Sequence, residues 1–385
     1  MGLSAIVGQE RLVKELVETA KRGAVANTYM FVGPEGCGKI ALALSFVKSI
    51  VQSQRNIEVK DLHASLNKIE TLNHPDLHFS FPVTTSDKVK KDPVSKDYIS
   101  EWREMISRSC YFNLNDWYKK IGAGNKQGII SAKEAESISK TMALKSYEGG
   151  YKFMIIWMAE KMNESAANKL LKLLEEPPKK TVFILLCENE KAILNTIKSR
   201  CQKISVPPIQ AQDISSGLQL TKKLSAELAN KIGESSAGNY RLAMQKAENE
   251  EVTSESGEDF AGWVRLAFKV KNSKQAVSEL VSYSENIAKK SREDQKAFLK
   301  DSLAIFRKSL LYNYAVDSND IEFGEGFHLA KFAPYVHENN ISEIYDELQL
   351  AYNNIERNGN SKIVFLDTSI KLTRLLHIKP SAKNE

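Results

Sequence analysis

Residues Gly33-Pro34-Glu35-Gly36-Cys37-Gly38-Lys39-Ile40 match the phosphate-binding pattern G-x-x-x-x-G-K-[ST] at every position except the last. The pattern constrains the fold because its glycines allow a tight loop between a buried strand and a helix, with backbone N–H groups aimed at phosphate oxygens. Tyr29–Val32 reads as that strand and Ile40–Ser49 as that helix. The departure is chemical. A Ser or Thr hydroxyl at the eighth position ligates Mg²⁺, and Ile40 offers nothing to a cation. The chain therefore reads as a nucleotide-hydrolase scaffold that does not itself hydrolyse well. Gly33, Gly36, Gly38 and Lys39 are candidate nucleotide-binding residues, with ATP held without hydrolysis as one expectation and a ligand-free strand-to-helix turn as the other.

At 385 residues the chain has room for two or three domains. Its 54 basic and 48 acidic residues leave a net charge of +6, which permits contact with nucleic acid without requiring it. Cys37, Cys110, Cys187 and Cys201 contain no C-x-x-C pair, which argues against a disulfide framework and a zinc site. A reducing cytoplasm is the expected setting. The chain has no apolar run of membrane-spanning length, and Met1-Gly2-Leu3-Ser4 does not open a signal peptide, so no membrane partner is expected. Among the histidines, His74 and His78 have helical metal-pair spacing, but Pro75 breaks the helix this requires.

Up to about Pro208, strand-length apolar runs alternate with amphipathic stretches. The strand candidates are Tyr29–Val32, Leu77–Phe81, Phe153–Trp157, Val182–Leu186 and Lys203–Val206. Between them, Ser131–Lys145 opens with the capping-box pattern Ser131-x-x-Glu134, and Glu164–Glu176 places Leu170, Leu171, Leu173 and Leu174 on one face until Pro177-Pro178 stops it. Alternating strands and helices predict an α/β domain over 1–208, a parallel sheet with helices on both faces. Residues 83–127 interrupt the alternation with Lys88, Lys90, Lys91 and Lys96, then Tyr98, Trp102, Tyr111, Phe112 and Trp117. The aromatics mark an ordered insertion, and the lysines a solvated face or a DNA contact. Beyond Pro208 the pattern is helical: a small lid domain over 209–247, a linker at Glu248–Glu258, a larger all-helical domain over 258–378 and a tail at 379–385.

Four stretches in order carry a family resemblance. They are Ile6-Val7-Gly8-Gln9; His74-Pro75-Asp76-Leu77; the run Asn168-Lys169-Leu170-Leu171-Lys172-Leu173-Leu174-Glu175-Glu176-Pro177-Pro178, close to N-x-L-L-K-x-L-E-E-P-P; and Ser199-Arg200-Cys201. With the phosphate loop, they resemble the bacterial clamp-loader subunits of DNA polymerase III, which have the AAA+ fold, and within that family its delta prime branch. The resemblance reaches about residue 245, and the helical remainder is similar to the family's collar domain in size and character only. It implies a part in DNA replication as a non-hydrolysing stator that helps load a sliding clamp. The implied partners are gamma/tau and delta subunits, the clamp, and primed DNA through the assembled complex. No catalysis by the chain alone is implied, and a polymerase label would describe the assembly. The alternative is an ATP-hydrolysing gamma/tau-like subunit or a related replication-repair ATPase.

Catalytic relatives carry Asp-Glu at the end of the third strand, positions that fall on Trp157 and Met158, so with Ile40 both halves of the Mg²⁺ machinery are replaced. Glu160, two residues on, is expected to face solvent at the head of a helix. The family's four-cysteine zinc module would fall at Asn56–Thr71, where the chain has no Cys, so no zinc is expected. The resemblance gives Arg200 the role of a finger reaching a neighbouring subunit's ATP. From spacing alone, the same residue reads as a cap on a helix over Lys191–Lys198. Arg241 resembles a second-sensor arginine of the lid, kept either for packing or for an uncleaved nucleotide. Cys187, near the first-sensor position, reads as a buried small hydrophobe.

Overall fold

The computed structural model describes residues 6–54, 59–248, 255–271, 273–314 and 326–380. Five strands, β1 (Thr28–Val32), β2 (Leu77–Ser80), β3 (Lys152–Trp157), β4 (Thr181–Cys187) and β5 (Gln202–Ser205), form one parallel sheet in the order β2-β3-β4-β1-β5. Their ends fall within one residue of those expected. Strands buried on both faces need apolar residues at every position, and the two-residue period sorts them into two sets. Tyr29, Phe31, Phe153, Ile155 and Ile184 enter one core; Met30, Met154, Ile156, Phe183 and Leu185 enter the other.

The first core is covered by α1 (Glu10–Lys21), α2 (Lys39–Gln52) and α3 (Val59–Glu70), joined by α4 (Ile99–Arg108) and α5 (Leu114–Lys120) of the insertion. The second lies under α6 (Ala132–Ala143) and α7 (Glu164–Glu175), with the short α8 (Asn195–Lys198) leading into β5. Several expectations need correction here. Ser131 does cap α6 by accepting the Glu134 N–H, but the Glu134 carboxylate does not complete a box. It is buried and accepts the Ser95 N–H at 2.8 Å, and burial raises its pKa. On α7, Leu170 and Leu174 are buried while Leu171 and Leu173 are only partly so, because a 3.6-residue period cannot turn four such leucines equally inward. The helix expected over Lys191–Lys198 is a 3₁₀ turn, Glu190–Ala192, followed by α8. The chain extends at Ile193 and Leu194 between them, burying Ile193 in the second core.

The insertion is held by aromatic contacts. Trp102 is fully buried, stacked on Phe81 at 4.2 Å between ring centroids, with Trp117, Phe112 and Trp157 at 5.3, 5.5 and 5.2 Å. Three of the four lysines at its start have acidic or hydroxyl partners: Lys88 pairs with Glu101 at 2.6 Å, Lys90 with Asp87 at 2.9 Å, and Lys96 donates to Thr141 Oγ1 at 3.0 Å. The lid helices α9 (Ala211–Lys222), α10 (Ala226–Ser235) and α11 (Tyr240–Glu248) enclose a small core of Ile214, Leu218, Ile232 and Tyr240, which Tyr111 of the insertion joins.

The chain divides into two units, 1–250 and 251–385. The second contains α12 (Glu255–Lys269), α13 (Lys274–Lys289), α14 (Arg292–Asn313), α15 (Leu329–Phe332), α16 (Glu338–Glu356) and α17 (Ser361–Leu376), around a core that includes Phe260, Trp263, Phe306 and Phe365. The buried Trp263 indole donates to Ser369 Oγ at 2.7 Å, so its one polar atom is satisfied. Of the linker expected at Glu248–Glu258, residues 249–254 lie outside the described residues. Glu248 ends α11 and Glu255–Glu258 begin α12, so both ends of that stretch are helical. Of the tail, 381–385 lie outside them too, as do 56–58 of the Asn56–Thr71 segment. Among the described residues no helix is long and apolar enough to cross a membrane.

The His74-Pro75-Asp76-Leu77 stretch staples β2 to the loop before β3. Asp76 accepts Ser146 Oγ and the N–H groups of Tyr147 and Glu148 at 2.8–3.0 Å. The buried His74 meets Ser65 Oγ at 2.8 Å and Glu148 at 3.1 Å through Nε2. Burial lowers the pKa of His74, and that of His78 from 6.5 to about 4. The unfolded chain thus takes up protons below pH 6.5 that the folded chain refuses until about pH 4. For His78 this stability is complete above pH 6.5 and is lost as the pH falls through that window. We expect His78→Gln to remove about 2–3 kcal/mol of the acid sensitivity between those limits. Urea melts at pH 7 and pH 4.5 check this, and parallel losses in both proteins would contradict it.

Candidate nucleotide site and interface arginine

The phosphate loop leaves the C-terminal end of β1, and the Gly33 N–H donates to the Cys187 carbonyl at the end of β4. Gly36 and Gly38 have φ of 73° and 89°, the left-handed region in which a side chain is strained. The Ile6-Val7-Gly8-Gln9 arm is tied beneath the loop. Gln9 Nε2 donates to the carbonyls of Cys37 at 3.2 Å and Pro207 at 2.7 Å. α2 begins at Lys39, whose side chain is 6% exposed and whose Nζ donates to the carbonyls of Gly33 at 2.7 Å and Pro34 at 2.6 Å, with Glu188 at 3.7 Å. The lysine is satisfied by its own loop. Ile40 is buried in the first core.

Around the loop the fold gathers residues that sequence spacing did not connect. Arg241 of α11 makes a forked ion pair with Asp116, Nε to Oδ2 at 2.5 Å and Nη2 to Oδ1 at 2.8 Å, and approaches Glu35 of the loop at 3.6 Å. The Glu35 carboxylate also accepts Asn113 Nδ2 at 3.1 Å and Asn239 Nδ2 at 3.4 Å. The lid touches the loop backbone directly, since the Tyr240 N–H donates to the Gly36 carbonyl at 3.2 Å. A β-carbon on Gly36 would lie 1.9 Å from Asn239 Oδ1. Asp116 was missed because its partner is 125 residues away; the available signal was Asn113-x-x-Asp116, a capping box at the start of α5.

The end of β3 carries no metal ligand. Trp157 is 3% exposed, packed between Trp102 and Phe112, and Met158 is buried with φ of 53°. Glu160 corrects an expectation. It does not face solvent at a helix head but turns inward from a 3₁₀ turn, Oε1 accepting the N–H groups of Glu188 at 2.7 Å and Asn189 at 3.2 Å. Its Oε2 is buried without a hydrogen-bond partner, and burial raises its pKa. The turn after Met158 is too tight for a helix, and it directs Glu160 at the chain leaving β4. Cys187 is fully buried and its thiol is pushed up to about 12 by desolvation. Among the described residues no group of three His, Cys, Asp or Glu side chains is arranged to hold a metal. An Mg²⁺-bound nucleoside triphosphate therefore does not fit these residues. Its lysine and lid arginine have other partners, position 40 lacks a hydroxyl, and the carboxylate positions of β3 are apolar.

Arg200 lies elsewhere. It precedes β5, whose Gln202 pairs with Tyr29 near the start of β1, so it stands at the end of the sheet opposite the phosphate loop. The five residues of β1 separate the two by roughly 15 Å. Its guanidinium donates to the Thr196 carbonyl at 2.7 Å, which is the expected cap, and pairs with Glu175 at the end of α7. An open cleft of about 570 Å³ surrounds it, lined by Ala26–Thr28, Leu174, Glu175, Ser199 and Gln202.

A parallel sheet of this order, with a phosphate loop after its first strand and a three-helix lid folded onto that loop, defines an AAA+-type member of the P-loop ATPase folds. Residues 8–210 match the family described as DNA polymerase III, delta subunit, and the chain belongs to that family. It is 31% identical to DNA polymerase III subunit delta' of Bacillus subtilis over 54% of this chain and 50% of that protein. It is 38% identical to the Yersinia pestis subunit of the same name over 23% of this chain and 26% of that one. The chain thus spans half or less of the length of these relatives. A gamma subunit-related protein of Thermotoga maritima superposes over 94% of this chain and all of its own, at 16% identity and a TM-score of 0.39. That agreement is too loose to support a functional comparison.

Proposed function

We propose that the chain is a clamp-loader subunit of a bacterial DNA polymerase III that does not hydrolyse ATP and serves the nucleotide site of a neighbour through Arg200. The observation that carries the reading is the end of β3, where Trp157 is buried in an aromatic cluster and Met158 beside it in sequence is buried too, at positions a hydrolase needs for carboxylates. Phosphoryl transfer works by positioning and charge neutralisation, and a site without Mg²⁺ ligands supplies neither. The placement of Arg200 supports the second half. A guanidinium a sheet-length from its own phosphate loop has to find any phosphate on another chain. Exposed Val277 and Val281 of α13, and Ile363 and Ile370 of the neighbouring α17, give the second unit apolar surface suited to assembly. Contacts to a clamp and to primed DNA would come through the assembled loader, by phosphate and shape, since loading at any primer excludes base readout.

The test is reconstitution with gamma/tau and delta subunits from one organism. The complete mixture should co-elute and hydrolyse ATP in a clamp- and DNA-stimulated manner, while this chain alone stays at background. Mg²⁺-dependent turnover by the chain alone would reject the reading, as would a loader equally active without it.

A further inference from the structure

The insertion packs against the phosphate loop. Tyr111 is 8% exposed, and its hydroxyl accepts the Val7 N–H of the N-terminal arm at 2.8 Å. Its ring stands edge-on to Tyr240 of the lid at 4.8 Å between centroids. A β-carbon on Gly38 of the loop would lie 3.3 Å from that ring. One aromatic side chain thus bridges arm, loop and lid. Downstream, Asn113 binds the Glu35 carboxylate, and Asp116 takes both nitrogens offered by Arg241. Asp116 is itself held by the reciprocal cap with Asn113, each side chain accepting the other's N–H at 3.0 Å.

We propose that residues 109–117 are a built-in ligand of the nucleotide crevice: the Tyr111 ring takes the place of a flat base and the Asp116 carboxylate takes the place of a phosphate at Arg241. The chemistry matches at both ends. A phenol oxygen satisfies a backbone N–H that otherwise needs an acceptor, and a carboxylate matches a guanidinium fork as a phosphate does. The Arg241 side chain is only 20% exposed, so a paired anion offsets the cost of its burial, and Asp116 makes the closer pair than Glu35. A tethered ligand also presents itself at an effective concentration of about millimolar, so free nucleotide well below that concentration competes poorly. The insertion thereby fixes the lid on the sheet without ATP, which is what a rigid member of a ring needs. This deepens the non-hydrolysing reading above and rests on it, but the two fail separately.

The experiment titrates the full chain and the Tyr111→Ala/Asp116→Ala double variant with a fluorescent ATP analogue, and follows the melting of each with and without ATP. The native chain should show no saturation below about 1 mM. The variant should bind at least tenfold more tightly, and ATP should raise its Tm and not that of the native chain. A native chain that binds as tightly as the variant overturns the proposal. So does a variant that melts cooperatively yet binds no better. Hydrogen exchange on the native chain decides the matter if the variant does not fold: the amides of 109–117 should be protected and indifferent to ATP, and free exchange there overturns the proposal. Hydrolysis by the native chain, at any affinity, would reject the functional reading instead.

Discussion

Replacing Arg200 with Ala should leave the chain folded and assembled while removing most of the clamp- and DNA-stimulated ATPase of a reconstituted loader. An arginine that stabilises the charge of a transferring phosphoryl group is worth about 10³-fold or more at the site it serves. The observed fall is smaller if other sites turn over independently, so the sensitive readout is hydrolysis at the neighbouring site alone. The competing structural role predicts the reverse pattern. As a cap on Thr196 and a surface partner of Glu175, Arg200 contributes about 0–1 kcal/mol, which would appear as a small change in Tm and none in turnover. Arg200→Lys separates them further. It keeps a charge near Thr196 but loses the planar fork, so it should restore the melting temperature and not the rate. Full stimulated turnover with Ala at 200 would remove the finger from consideration.

The second large effect belongs to Trp102. It is fully buried and meets Phe81, Trp117, Phe112 and Trp157, so it fastens the insertion to the ends of β2 and β3 at once. Trp102→Ala should cost about 3–5 kcal/mol, the lost transfer energy plus a cavity that a rigid sheet edge cannot collapse into. For a unit of some 250 residues that corresponds to a fall in Tm of about 10 °C. Trp102→Phe should recover more than half, since a ring still stacks on Phe81. A fall of less than 2 °C with Ala would mean that the insertion is not anchored through this residue. Because Phe112 follows Tyr111 directly, loosening Trp102 should also raise hydrogen exchange over 109–117 before global unfolding.

Strands β1 to β4 were legible because each is a short, mainly apolar run, the composition that burial on both faces of a parallel sheet demands, whereas the edge strand β5 is largely exposed and Ile204 is its one apolar residue. The phosphate loop was legible because its glycines are required by backbone geometry at Gly36 and Gly38. Helix ends were less so. Ser131 capped α6 as its type and position suggested, yet Glu134, three residues on, was drawn to the Ser95 N–H from another segment. Glu160 was misjudged for the same reason: a carboxylate near a strand end faces solvent unless something buried needs an acceptor, and here two backbone N–H groups did.

By itself the sequence determined which atoms are available: a loop shaped for phosphate, no hydroxyl at 40, no carboxylate at 157 or 158, and arginines at 200 and 241. Those are properties of side chains, and folding does not change them. Only the tertiary structure decided what meets what. Arg200 stands at the far end of the sheet from the loop, and Asp116 reaches Arg241 across 125 residues of chain. Such pairings depend on the path of the backbone through a packed core, and no local period or spacing carries that information.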